Sequence, residues 1–194
     1  QRVREFMNYE IVHVMEEYDE DLDQMLFYLP LAGSAFKKVY YDENLQRPVS
    51  KFVAPEDLIV PYYTTDLESC PRISHAIKMP ENDVKKLQAI GFYRNVELQP
   101  DDENQDYSSL KSEKEKLEGV EPSYDTGEIC LLYEIHCNLD LEGFEDMGEN
   151  GEETGVKLPY IVTIDSNTEN ILAIRRNFRE DDPMRTKIEY FVHF

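Results

Sequence analysis

FYLPLAGSAFKKVYYDENLQRPVSKFV, Phe27 to Val53, starts on an apolar helical pattern and ends as two alternating strands, with Gly33 and Ser34 at the change. Phe36 to Tyr41 and Val49 to Val53 read as paired strands across the turn formers Asp42, Glu43 and Asn44. Pro48 has no N–H to give a ladder, so it confines the second strand to an edge or a bulge. Upstream, Val3, Met7, Ile11, Val14, Tyr18, Leu22, Met25 and Leu29 recur at three- and four-residue steps. That spacing predicts one long amphipathic helix, a helical arm over 1–30, stopped by Pro30. Glu16, Glu17, Asp19, Glu20, Asp21 and Asp23 lie between its apolar positions and read as a solvated outer face.

Working outward toward the C-terminus, Leu58 to Val60 and His75 to Lys78 are short strand candidates. Pro80 and Asn82 open a second helix, Val84, Leu87 and Ile90 share its apolar face, and Gly91 closes it. Residues 99–127 turn polar and read as an acidic surface elaboration. Glu128 to Leu139 has the pattern of a strong strand. The stretch 138–156 holds seven acids, no Lys or Arg, and Gly143, Gly148, Gly151 and Gly155, so it reads as an acidic, Gly-rich mobile loop. Tyr160 to Ile164 and Ile171 to Ile174 form a hairpin across Asp165 to Asn170, and Ile188, Tyr190, Val192 and Phe194 line one face of a last strand. The expected fold is α+β: a long helix, an antiparallel sheet of hairpins, a second short helix and acidic surface insertions, in one domain over 1–194.

Composition bounds the function. A chain of 194 residues buries roughly 70% of its extended surface on folding. Against 41 acidic residues stand 20 basic ones, a formal charge of −21, which repels phosphate at long range. Cys70, Cys130 and Cys137 are odd in number and form no CxxC pair, which favours free thiols in a reducing compartment. No apolar run reaches the roughly 20 residues of a membrane-spanning helix. The first residue, Gln1, and the strand-like end at Phe194 read as an excised fragment of a longer chain.

No catalytic, cofactor-binding or metal-binding residue emerges from the motifs. Gly33 and Ser34 lie between helix and strand and lack the second glycine of a nucleophile elbow, so Ser34 is a turn residue. Cys130 and His136 are two candidate ligands where a structural zinc site wants four. A calcium-loop frame from Asp146 puts Lys157 where a bidentate Glu is needed. Asp83 and Lys85 approach a two-metal nuclease pattern but occupy a first helical turn, where acids suit the dipole. Lys37, Lys38, Tyr40 and Tyr41 interleave bases with rings, which fits cross-strand packing better than single-strand binding in so acidic a chain. Arg175, Arg176 and Arg179 form the conspicuous basic cluster, placed either to pair with Glu180, Asp181 and Asp182 or to meet a neighbouring copy.

The segment LPLAGSAFKKVYYDENLQRPVSKFVAPEDLIVPYYTTDLESCPRISH, Leu29 to His75, resembles the portal proteins of tailed bacteriophages, in particular the head-to-tail connectors of short-tailed phages and their prophage relatives. Leu31 to Ser34, Lys38 to Asp42, Pro55 to Leu58 and Arg72 to His75 carry the likeness. Gly91 to Arg94, Leu158 to Tyr160, Arg176 and Asn177, Asp181 and Asp182, and Tyr190 to Phe194 follow in the same order. The resemblance implies the wing of a portal, the α+β part before the stem helices and clip. It implies a structural protein of the virion, assembled in host cytoplasm as a dodecameric ring at one capsid vertex. A terminase motor, capsid or scaffold proteins and tail factors are the implied partners, and double-stranded DNA is translocated without sequence-specific binding. Two other classes stay open on the residues alone: a metal-dependent nuclease and an acidic module that mimics DNA.

Overall fold

A computed structural model describes residues 1–42, 45–99, 129–147 and 152–194. The expected surface elaboration over 99–127 lies outside these apart from Gln99, and the acidic loop over 138–156 is described only in part. The architecture is mixed: helices with two antiparallel sheets, one of three strands and one of five. The chain forms two compact units, one of Gln1–His75, Ile135–Tyr160 and Arg176–Phe194, the other of Ala76–Glu134 and Ile161–Arg175.

The expected long helix is two shorter ones. Helix α1 spans Arg2–Tyr9, a π-helical segment follows over Glu10–Val14, and helix α2 begins afresh at Tyr18 and runs to Ala32. At Met15 the backbone leaves helical space, with φ −87° and ψ 81°. The periodic apolar stripe is blind to this break, because a π-turn with i to i+5 bonding shifts the register without disturbing the apolar count. Electrostatics favours it: Asp19, Glu20 and Asp21 fall in the first turn of α2, where the unpaired N–H groups attract acids, instead of repelling one another in mid-helix. Pro30 does not end α2. The stop comes at Gly33, whose left-handed φ of 73° lets its N–H reach the Leu29 carbonyl at 2.9 Å.

In the first unit, strands β1 (Phe36–Asp42) and β2 (Arg47–Val53) pair antiparallel from Phe36 opposite Val53 to Asp42 opposite Arg47. Pro48 sits on β2, an edge of the order β2-β1-β8, as its missing donor requires. Strand β8 (Phe191–His193) completes this sheet, with Lys38 opposite Phe191. It is shorter than expected, with Ile188 and Tyr190 ahead of it; Phe191 is buried, while Val192 and Phe194 are about half exposed. Aromatic and β-branched residues occupy both parities of Tyr190 to Phe194, so the alternation was ambiguous, and the core took the ring that His75 and His136 flank edge-on. Val53, Leu58, Cys70, Ile73 and Phe191 form the centre of this core.

The second sheet has the order β3-β4-β5-β6-β7: Leu58–Ile59, Arg72–Pro80, Ile129–Leu139, Leu158–Asp165 and Ile171–Arg176. In the second unit, helix α3 (Glu81–Ala89) buries Val84 completely, but Ile90, one residue past its end, is exposed. Val84, Tyr93, Cys130, Leu132 and Leu172 make the core there. The segment after α3 is strapped on by its backbone: Arg94 N–H bonds Leu172 O at 2.8 Å, and the Gln88 amide donates to the Arg94 and Val96 carbonyls. The β6–β7 turn closes on buried Asp165, whose carboxylate accepts from Thr168 N–H at 2.9 Å and its hydroxyl at 2.6 Å.

Leu132 is fully buried in this second core. Leu132→Ala is expected to cost about 2–5 kcal/mol, read as a lower urea midpoint in chemical denaturation, because the site leaves a cavity that packed neighbours only partly fill.

Candidate functional site

A group of largely buried charged side chains lies where α2 meets the β1–β2 hairpin. Of the six acids read as a solvated face, Glu16, Asp19, Glu20 and Asp23 are exposed, whereas Glu17 and Asp21 turn toward the hairpin. The cause is helical spacing: Glu17, Asp21, Met25 and Tyr28 follow at steps of four, four and three, so they share the inward stripe with Met25, which is buried, and Tyr28, which packs on Phe52 at 5.2 Å between ring centroids. Arg47 on β2 donates to Glu17 Oε2 at 2.6 Å. Burial pushes the Glu17 carboxyl up, but its backbone hydrogen bonds and the Arg47 guanidinium outweigh that and hold it below its ordinary value of 4.5.

Lys37 occupies the same junction from β1. It is 5% exposed, its ammonium stands 4.5 Å from the Tyr18 ring centroid, and Nζ has no hydrogen-bond acceptor. Burial pushes this amine down, and the charge of Asp21 partly offsets it. For Asp21 burial again leads and lifts the carboxyl, against a backbone hydrogen bond from Phe52 and the Lys37 charge. Glu17 Oε1 and Asp21 Oδ2 are also buried without a hydrogen bond. Chemically this is a clamp of desolvated opposite charges, with no nucleophile and no acid–base pair open to a substrate. It also revises the expected cross-strand packing of Lys37: its ring partner is on the helix. Lys38 takes Tyr40 on its own strand and Phe191 on β8.

The remaining sequence candidates are dispersed. Asp83 pairs with Lys86 at 2.8 Å, and Lys85 pairs with Glu81 at 2.7 Å, so the nuclease-like couple is divided between two local helix pairs. Cys130 packs in the second core and His136 lies against Tyr190 and Phe191 in the first unit. Asp146 is occupied by the Thr154 hydroxyl at 2.8 Å and Arg185 at 2.9 Å. Among the described residues no group of three or more His, Cys, Asp or Glu side chains has a metal-binding arrangement. The three thiols are free, and burial pushes that of Cys137 up, away from the thiolate. A cavity lined by Leu67, Ile73, His136, Lys187, Tyr190 and Phe191 measures about 10 Å³, the size of one water.

Sequence reasoning did not anticipate His193. Its Nε2 lies 2.8 Å from Ser34 Oγ, and its ring stacks on Phe36 at 4.9 Å. No carboxylate orients the other ring nitrogen among the described residues, so the pair ties the end of β8 to the α2–β1 turn and lacks the third member of a catalytic triad. No sequence signal links positions 159 residues apart.

The arginine cluster is held locally. Arg175 lies 3.4 Å over the Phe92 ring and donates to the Phe92 carbonyl at 3.0 Å. Beside it, burial lifts the Tyr93 phenol to about 12, with the Glu134 charge adding and Arg175 opposing. Arg176 forms an ion pair with Glu180, and Arg179 sits near Asp182, whose carboxyl is held below its ordinary value first by hydrogen bonds from Thr186. No protein-family model matches the sequence, and no curated protein matches it.

The clamp makes a signed expectation. A carboxyl held below its ordinary value lends stability above that value and loses it as pH falls through the depressed one. The stability difference between the wild type and Glu17→Gln is therefore expected to be largest above pH 4.5 and to shrink below it, measured by urea denaturation at a series of pH values. Asp21, lifted by burial, acts with the opposite sign, so Asp21→Asn is expected to give a difference that moves the other way.

Proposed function

We propose that this chain is a non-catalytic structural part of a viral portal ring, its wing, in the conduit through which double-stranded DNA is packaged and ejected at a capsid vertex. The co-linear resemblance from Leu29 to Phe194 supports the family. One physical observation carries the function: the chain has 20 basic residues to 41 acidic ones, and four of its nine described guanidiniums are engaged locally. Arg47 is bound to Glu17, Arg176 to Glu180, Arg185 to Asp146, and Arg175 lies flat on Phe92. Lys37 is buried, and Lys187 is held by the Leu67 and Glu68 carbonyls.

A protein that grips DNA presents unpaired bases to phosphates, each contact releasing counterions. Here the outer field is left negative, so a duplex nearby is repelled and slides. This fits a wall better than a binding site or a nuclease. The mixed α+β fold suits the expected wing.

Electron microscopy of the full-length protein tests the proposal. A ring with a central pore and rotational symmetry is expected, with dodecamers the implied number; a population of monomers or closed dimers would contradict it. Arg179 is exposed, and in this reading Arg175, Arg176 and Arg179 contribute to contacts between neighbouring copies. Arg179→Glu is expected to lower the ring fraction with an unchanged denaturation midpoint; full ring yield would remove Arg179 from the interface.

A further inference from the structure

The outer side of β2 has no neighbouring strand. In the order β2-β1-β8 it is a sheet edge, and the register fixes which of its N–H groups point away from β1. Val39, opposite Ser50, gives its own N–H to the Tyr190 carbonyl beside β8 at 2.7 Å, so Val39 and Ser50 exchange no ladder bonds. With a period of two, Pro48, Ser50 and Phe52 turn their backbone outward, while Val49 and Lys51 turn theirs to β1. An outward row of this kind is a template for another strand.

Every N–H of that row is accounted for. Pro48 has none. The Ser50 N–H donates to the Glu17 carboxylate, and the Phe52 N–H donates to that of Asp21. The spacings agree: four residues of helix rise about 6 Å, and two residues of strand advance about 7 Å. Glu17 and Asp21 therefore reach consecutive outward donors while α2 lies along the edge. Arg47 on β2 pairs with Glu17, and Lys37 on β1 with Lys51 on β2 lends positive charge to Asp21, so both acceptors are held as anions.

We propose that α2 guards this sheet edge, its Glu17 and Asp21 carboxylates standing where the carbonyls of an added strand would bind, and that without them β2 pairs with β2 of a second copy. A second copy is the occupant because two identical edges, run antiparallel, present the same outward donors and acceptors to each other. The guard does not depend on the portal reading.

Site-resolved amide hydrogen exchange by NMR on the whole chain tests it. In the dilute wild type, Ser50 and Phe52 are expected to exchange as slowly as the ladder amides of Val49 and Lys51; fast exchange at Ser50 and Phe52 would overturn the guard. In the dilute double variant Glu17→Ala with Asp21→Ala, the Ser50 and Phe52 amides are expected to exchange about tenfold faster, with Val49 and Lys51 little changed. Their protection is expected to return as the variant is concentrated, when a second copy supplies the missing carbonyls. In the wild type, concentration is expected to leave these two amides as they were. Equal acceleration of all four amides would show a sheet loosened as a whole and would overturn the guard, as would protection that stays lost at high concentration. Asp21→Ala alone keeps the Glu17–Arg47 pair and is expected to release Phe52 while Ser50 stays slow; it carries the test if the double variant does not fold, and release of both amides together would count against the separate roles of the two carboxylates.

Discussion

The junction of α2 with the β1–β2 hairpin is the constraint on which the first unit depends. Two carboxylates, an ammonium and a guanidinium are withdrawn from water there, beside Met25 and the Tyr28–Phe52 ring pair. Desolvating such groups is costly unless each finds opposite charge, so the helix has one acceptable rotation about its axis. Any other rotation leaves Lys37 buried without Asp21, or Arg47 without Glu17. That rotation decides what faces outward on α2: Glu20 and Asp23 toward water, with Phe27 and Leu31 in line behind them. The acidity of the outer face of α2 thus follows from a clamp that neither sign of charge could make alone.

Local signals carried much of the fold. Paired strands around Asp42, the hairpin around Asp165, and α3 between Pro80 and Gly91 were all legible, because turn formers and alternation act over a few residues. The inward turn of Glu17 and Asp21 and the burial of Phe191 are decided by partners distant in sequence, whereas the break at Met15 is local, set where acids favour a new first turn. Periodicity places residues on a face but does not say whether that face meets water or another element. An acid on a helix is solvated by default, and only Arg47 and Lys37, folded over from the hairpin, make Glu17 and Asp21 exceptions.

The candidate site was less legible than the fold. The basic cluster at Arg175, Arg176 and Arg179 was visible, but the stacking of Arg175 on Phe92 joins positions 83 residues apart. Side chains that the sequence reading weighed for chemistry and set aside, Asp83 with Lys85 and Cys130 with His136, are distributed among ordinary ion pairs and cores. The excess of acidic over basic residues, with exposed acids on α2, sets the surface electrostatics.

On the portal reading proposed above, this polypeptide presents an anionic wall to duplex DNA and makes or breaks no bond in it. Incubating the purified protein with double-stranded DNA and magnesium, and following both cleavage and co-migration as salt is lowered, tests it most directly. The account predicts intact DNA and no complex even at low ionic strength, where attraction to phosphate is strongest. Magnesium-dependent cleavage, or a complex that tightens as salt is withdrawn, would contradict it.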